Sequence, residues 1–139
     1  MLSVSVFFNV TSLPDSIYEY TKDSLEHMVK EGAFPDLIQV GNEIINGMLW
    51  PVAKVDPLGM ENWDLFVKLL ESGAKACREI CPKAKIIIHT EKAGEWNKIK
   101  TYYNHLWQLD YDIIGLSYYS MWHKAVGVLA ATLDSLAIE

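Results

Sequence analysis

The sequence lacks most of the features that mark the commoner function classes. It has no run of about eighteen apolar residues, the least that a membrane-spanning helix needs. It has no basic stripe: twelve Lys and Arg are scattered among eighteen Asp and Glu, for a net charge of −6. The counterion release that drives nucleic-acid binding therefore has no evident source, and no nucleic-acid partner is expected. No glycine-rich dinucleotide fingerprint or phosphate loop follows any strand-like run, so no nucleotide cofactor is expected. Cysteine is scarce. Cys77 and Cys81 lie four apart on a helical pattern just before Pro82. No nearby histidine pair completes a zinc set, so they read as buried free thiols, and no metal is expected. The opening MLSVSVFFNV has neither a basic n-region nor a small-residue cleavage pattern. It reads as a strand and not as a signal peptide.

What is present is a core. Half of the 139 residues are hydrophobic and 12% are aromatic, with seven Tyr and five Trp. That composition and length predict one folded domain. Most of the rings serve packing, and some are available as flat apolar faces of the kind that stack on sugar rings. A mildly acidic surface suits a neutral substrate, which needs no electrostatic steering.

Short apolar runs alternate with amphipathic helices, the pattern of βα units and a parallel sheet. The first helix is predicted over residues 14–30, with Ser12 as cap, Pro14 in the first turn and Gly32 as the stop. Its apolar face is Ile17, Thr21, Leu25, Met28 and Val29. A strand over 37–40 runs into Gly41-Asn42-Glu43. A long connection broken by Gly47, Pro51, Pro57 and Gly59 follows. Asn62 is then predicted to cap a helix that buries Trp63, Phe66, Val67, Leu70, Ala74, Cys77 and Ile80. Residues 85–89 form a second strand, whose unbroken Ile86-Ile87-Ile88 suggests cover on both faces. Trp96, Ile99, Tyr103 and Leu106 mark a third helix, 112–118 a third strand, and Val128, Leu129, Thr132, Leu133 and Leu136 a last helix. Polar and aromatic residues gather just past the strand ends: Asn42, Glu43, His89, Glu91, Tyr118, Tyr119, Trp122 and His123. In a (β/α)₈ barrel those ends form the catalytic face, but a whole barrel takes roughly 250 residues. The fold class is therefore α/β, a partial (β/α)₈ barrel of three to four βα units.

A glutamate at a strand end, preceded by asparagine, is how barrel glycosidases present a general acid/base. Such a group protonates the departing sugar and then accepts a proton from water. The same pair also fits an ordinary carboxylate capping a loop. Two longer stretches add specificity. Gly41-Asn42-Glu43-Ile44 with Asn46-Gly47-Met48-Leu49-Trp50-Pro51 resembles the endo-β-1,4-galactanases (arabinogalactan endo-1,4-β-galactosidases) of glycoside hydrolase family 53. So does Asp112-Ile113-Ile114-Gly115-Leu116-Ser117-Tyr118-Tyr119 followed by Trp122-His123. Tyr18-Glu19-Tyr20-Thr21 and Ile88-His89-Thr90 agree as well, and order and spacing hold from about residue 13 to 136.

The resemblance implies hydrolysis of galactan or arabinogalactan polysaccharide with retention, with Glu43 as acid/base and Asn42 as its sugar-contacting neighbour. It implies that His89 and Tyr118 or Tyr119 line the donor side of the cleft. Trp50 and Trp122 become stacking platforms, and His123 a polar neighbour. It also implies a secreted or extracytoplasmic protein, although no signal peptide is visible. Ser120 and Lys124 stand where the family usually has Pro and Gly, so a reshaped loop is expected there. Residues 1–139 are read as one barrel segment lacking the early strands and strands seven and eight. The nucleophile belongs after the seventh strand, so none is expected in the chain. Glu139 is a poor candidate, and Glu91 lies on the wrong strand. The segment is thus expected to be catalytically incomplete, or a vestigial carbohydrate-binding fragment. Its exposed barrel edges offer a route to self-association.

Overall fold

A computed structural model describes residues 12–123 and 125–137. The strand expected over the first ten residues lies outside them. Helix α1 (Leu13–Lys30) leads to β1 (Leu37–Val40), and a hairpin of β2 (Gly47–Met48) and β3 (Ala53–Lys54) follows. Then come α2 (Trp63–Ile80), β4 (Lys85–Thr90), α3 (Trp96–His105), β5 (Ile113–Leu116) and α4 (Val126–Leu136). Strands β1, β4 and β5 form a parallel sheet in that order. Ile38 pairs with Ile86, and His89 with Gly115.

Helix α1 ends as its glycine predicts. Gly32, at φ 82°, lets the amides of Gly32 and Ala33 turn back to the carbonyls of Val29 and Met28, satisfying two orphan acceptors. Both predicted N-cap positions hold, but neither side chain caps its helix. Ser12 occupies the N-cap in a helical conformation with no side-chain capping bond, and its carbonyl accepts from Ser16 Oγ. Asn62 sits at φ 62° and turns its amide to Lys54 O (2.8 Å) instead of to its own helix. Met28 is 41% exposed and Leu133 is 47% exposed, at the margins of their helices' apolar stripes.

Burial alternates along the strands as a pleat requires. Ile86, Ile88 and Thr90 of β4 are buried against the helices, whereas Ile87 and His89 are only half-buried. The two-sided cover expected for β4 is thus one-sided: no described element packs over the face that carries Leu37, Gln39, Ile87 and Ile113. The third strand is shorter than predicted, because the chain leaves the ladder at Ser117, where its amide makes a last bond to Thr90 O. The core on the other side is aromatic. Trp63 meets Phe66 and Tyr102 edge-on and stacks on His105 at 3.9 Å. Cys77 and Cys81 are free and buried, and burial pushes the Cys77 thiol up to about 11.

At the N-terminal end of the sheet, Arg78 of α2 grips Asp110 through two bonds of 2.8 Å. It also reaches Asp112 (2.9 Å) and Ala84 O (3.1 Å). Asp112 accepts in addition from Ile86 N (2.8 Å) and Lys85 Nζ (3.1 Å). This network ties the starts of β4 and β5 to α2 and fixes their register. The opposite end of the sheet is thereby aimed.

Candidate active site

The three parallel strands deliver their following loops to one rim. After Val40 the chain turns through Gly41 (φ 81°), where a side chain would collide with Ile44 at 2.6 Å. Glu43 follows at φ 50°, in the left-handed region that a non-glycine residue enters only at a cost. Its amide donates to His89 Nδ1 (3.3 Å), and the next amide, of Ile44, donates to His89 O (3.2 Å). The Glu43 loop therefore lies across the end of β4. His89 Nε2 meets Ser117 Oγ at 3.0 Å, at the end of β5. Glu43, His89 and Ser117 thus form one line across three strand ends.

Gln39 Nε2, two residues before the turn, donates to Gly41 O (2.9 Å) and Asn42 Oδ1 (3.2 Å). Glu91 Oε2, just past β4, accepts from Ile45 N of the same loop at 3.5 Å. Glu43 is exposed. β1 is an edge strand among the described residues, and no described element covers its inner face. No described group bonds to the Glu43 carboxylate.

Past β5, Tyr119 and His123 close a turn. Trp122 N and His123 N donate to Tyr119 O (2.9 and 2.8 Å), and Tyr119 N donates to His123 Nδ1 (3.0 Å). The His123 ring lies 6.1 Å from Tyr118 and 5.7 Å from Tyr119, so it braces both. Gly94 fits against this turn only because it has no side chain, since a Cβ there would lie 2.5 Å from His123 O. A shallow hollow between the two loops is lined by Gly94, Glu95, Trp122 and His123. Trp122 is 77% exposed at its edge. Lys124, expected to reshape this loop, is not among the described residues. Trp50 is carried by the β2–β3 hairpin. Its Nε1 donates to Asn46 O (2.9 Å), and Lys54 Nζ sits 4.5 Å over its ring. One face is so covered, and the residue remains 60% exposed.

The family model for glycosyl hydrolase family 53 matches residues 6–139. The chain belongs to glycosyl hydrolase family 53. It is 32% identical over 136 residues to a probable arabinogalactan endo-β-1,4-galactanase A of Aspergillus flavus, covering 92% of the chain and 36% of that protein. It is 30% identical over 136 residues to an arabinogalactan endo-β-1,4-galactanase of Humicola insolens, covering 92% and 38%. An uncharacterised Niallia circulans protein is 35% identical over 130 residues, covering 90% and 36%. Among solved structures, the family 53 catalytic domain of Ignisphaera aggregans superposes with a TM-score of 0.87 at 27% identity, over 99% of this chain and 37% of that one. A fungal β-1,4-galactanase does so at 0.83 and 26%, over 96% and 42%. The chain therefore spans about two fifths of the length of its family 53 relatives, and the fold is that of a partial (β/α) barrel. Sequence reading missed the parts played by Gln39 and Ser117. Gln39 shares a strand face with Gly41, and Ser117 was visible only as a motif letter.

Proposed function

We propose that this chain carries the acid/base half of an endo-β-1,4-galactanase site, acting on the β-1,4-galactan chains of arabinogalactan with retention. The observation that supports it most is the Glu43 loop anchored across His89, which holds an uncompensated carboxyl group on the rim shared by Ser117, Tyr118 and Tyr119. Glu43 protonates the glycosidic oxygen as the leaving sugar departs, then takes a proton from the attacking water. With Asn42 Oδ1 engaged by Gln39, the Asn42 NH₂ is the end that donates to the sugar 2-hydroxyl. That bond strengthens as positive charge develops on the ring. Trp122 and the uncovered face of Trp50 stack on pyranose rings, His89 and the two tyrosines line the donor side, and His123 holds the tyrosines in place.

Retention needs a second carboxyl group about 5 to 5.5 Å from the first. Glu91 is occupied with Ile45 N, and Glu95 with Lys98. Neither is proposed as nucleophile. By itself, then, the chain binds galactan and turns it over negligibly.

The test adds β-1,4-galactotetraose to the chain and follows the ¹³C resonance of the Glu43 carboxyl with the Trp50 and Trp122 indole signals. All three are expected to shift. A second reading, a carbohydrate-binding fragment without an acid/base, is favoured by the exposure of Trp50, Trp122 and Tyr119. It predicts indole shifts with a silent Glu43 carboxyl. Reducing-sugar release at stoichiometric protein addresses completeness: robust turnover that Glu43→Gln abolishes would overturn the claim that the site is half built.

A further inference from the structure

We propose that Ser117 is a positioning residue that acts on Glu43 through the ring of His89, and that Gly115 provides the space in which that ring sits. A backbone amide can only donate, so the bond from Glu43 N requires His89 Nδ1 to be an unprotonated acceptor. In the neutral ring the proton then resides on Nε2, and Nε2–H donates to Ser117 Oγ. The Glu43 amide selects this tautomer, and the Ser117 hydroxyl, which can accept as well as donate, takes the acceptor role that it leaves. The ring is a one-way relay from the end of β5 to the loop after β1.

Space and main chain fit this role. His89 and Gly115 are register partners, and a Cβ at Gly115 would lie 3.1 Å from His89 Cδ2 and 3.0 Å from Ile87 Cγ2. Even alanine there crowds the ring. Ser117 is fixed independently by its own amide, which donates to Thr90 O (2.8 Å), so the hydroxyl can be removed without freeing the backbone. The residue that gains is the strained one. Glu43 stands at φ 50°, and such a conformation persists only where surrounding bonds over-determine it. His89 supplies two of them, from its ring to Glu43 N and from its carbonyl to Ile44 N. Its catalytic consequence rests on Glu43 being the acid/base, but the relay itself does not.

Long-range ¹H–¹⁵N correlation of the histidine rings in the full chain reads the relay directly. Wild-type His89 is expected as the Nε2–H tautomer alone. Ser117→Ala is expected to shift and broaden the His89 ring signals, as a ring held at one nitrogen only, and to speed hydrogen exchange of the Glu43 amide roughly fivefold, the effect of one lost hydrogen bond. The Ala84 amide, at the far end of the sheet, should be unaffected. Ser117→Thr restores both readings, and Gly115→Ala reproduces the Ser117→Ala result. An Nδ1–H tautomer in the wild type overturns the proposal, even should Ser117→Ala fail to fold. So does a Ser117→Ala protein whose His89 ring signals and Glu43 exchange are unchanged. Galactan binding enters neither reading, so failure here is distinct from failure of the galactanase proposal.

Discussion

The two ends of the parallel sheet treat charge in opposite ways. At the N-terminal end, Arg78, Lys85, Asp110 and Asp112 satisfy one another and the Ala84 carbonyl and Ile86 amide. At the C-terminal end, hydrogen bonds run among neutral side chains and backbone groups, and the carboxylate of Glu43 is left without a described partner. Strain is found on the C-terminal rim too, where the non-glycine Glu43 stands at positive φ. The contrast teaches where stability comes from in this segment. The closed network fixes strand register, and the open rim uses that rigidity to hold groups in positions they would not choose alone.

The sharpest way to break the comparison is to attack the closed end. Arg78→Met removes four bonds and leaves Asp112 and the Ala84 carbonyl short of a donor. Asp110 is largely exposed, so its share is small, and the expected loss is about 2 kcal/mol by chemical denaturation. A loss below about 0.5 kcal/mol would show that the network is ornamental. Acid probes the same end more gently. The Ile86 N–H, then Arg78 and Lys85, hold the Asp112 carboxyl down at about 2, against an ordinary 3.8. A carboxyl lowered by folding stabilises the native state above its unfolded value, and the benefit fades as pH falls through the folded one. Melting temperature should therefore drop between about pH 4 and pH 2, and Asp112→Asn should flatten that part of the curve. Parallel curves for the two proteins would assign the acid loss elsewhere.

The two ends were not equally legible in the sequence. Leu37–Val40 and the Gly41-Asn42-Glu43 turn were readable, because an apolar run that stops at glycine marks a strand end. Gly32 was readable for the same kind of reason. The β2–β3 hairpin was not, since strands of two residues carry no periodicity. Asn62 was readable as the residue before α2 but not in its side-chain partner, because asparagine serves equally as a cap and as a left-handed residue with a side-chain bond elsewhere. The Ser117–His89–Glu43 line depends on the register of β4 against β5, a property of pairing that no local pattern encodes.

At the open end, replacing Glu43 should do the reverse of what replacing Arg78 does at the closed one. Glu43→Gly keeps the amide that His89 receives and relieves the left-handed backbone of its Cβ. The expected result is a gain of about 0.5–1 kcal/mol in stability, net of the extra freedom glycine brings to the unfolded chain. Gly41→Ala, two residues earlier, should lose stability, because φ 81° and Ile44 both oppose a side chain. Should Glu43→Gly prove destabilising, the loop would owe its shape to the Glu43 side chain and not to the clamp around it.

The smallest expected change separates binding from folding altogether. Trp122 is 77% exposed, so little of its apolar area is removed from water in the free protein. Trp122→Ala should leave stability within about 0.5 kcal/mol of wild type. A ring that stacks on a sugar contributes only once the sugar arrives, and removing it should weaken galactotetraose binding about tenfold, the equivalent of ~1.4 kcal/mol. Calorimetric titration beside a denaturation curve tests both halves. A fall in stability with unchanged affinity would move Trp122 from the sugar site to the packing of the β5–α4 turn, and the open rim would then be narrower than its exposed rings suggest.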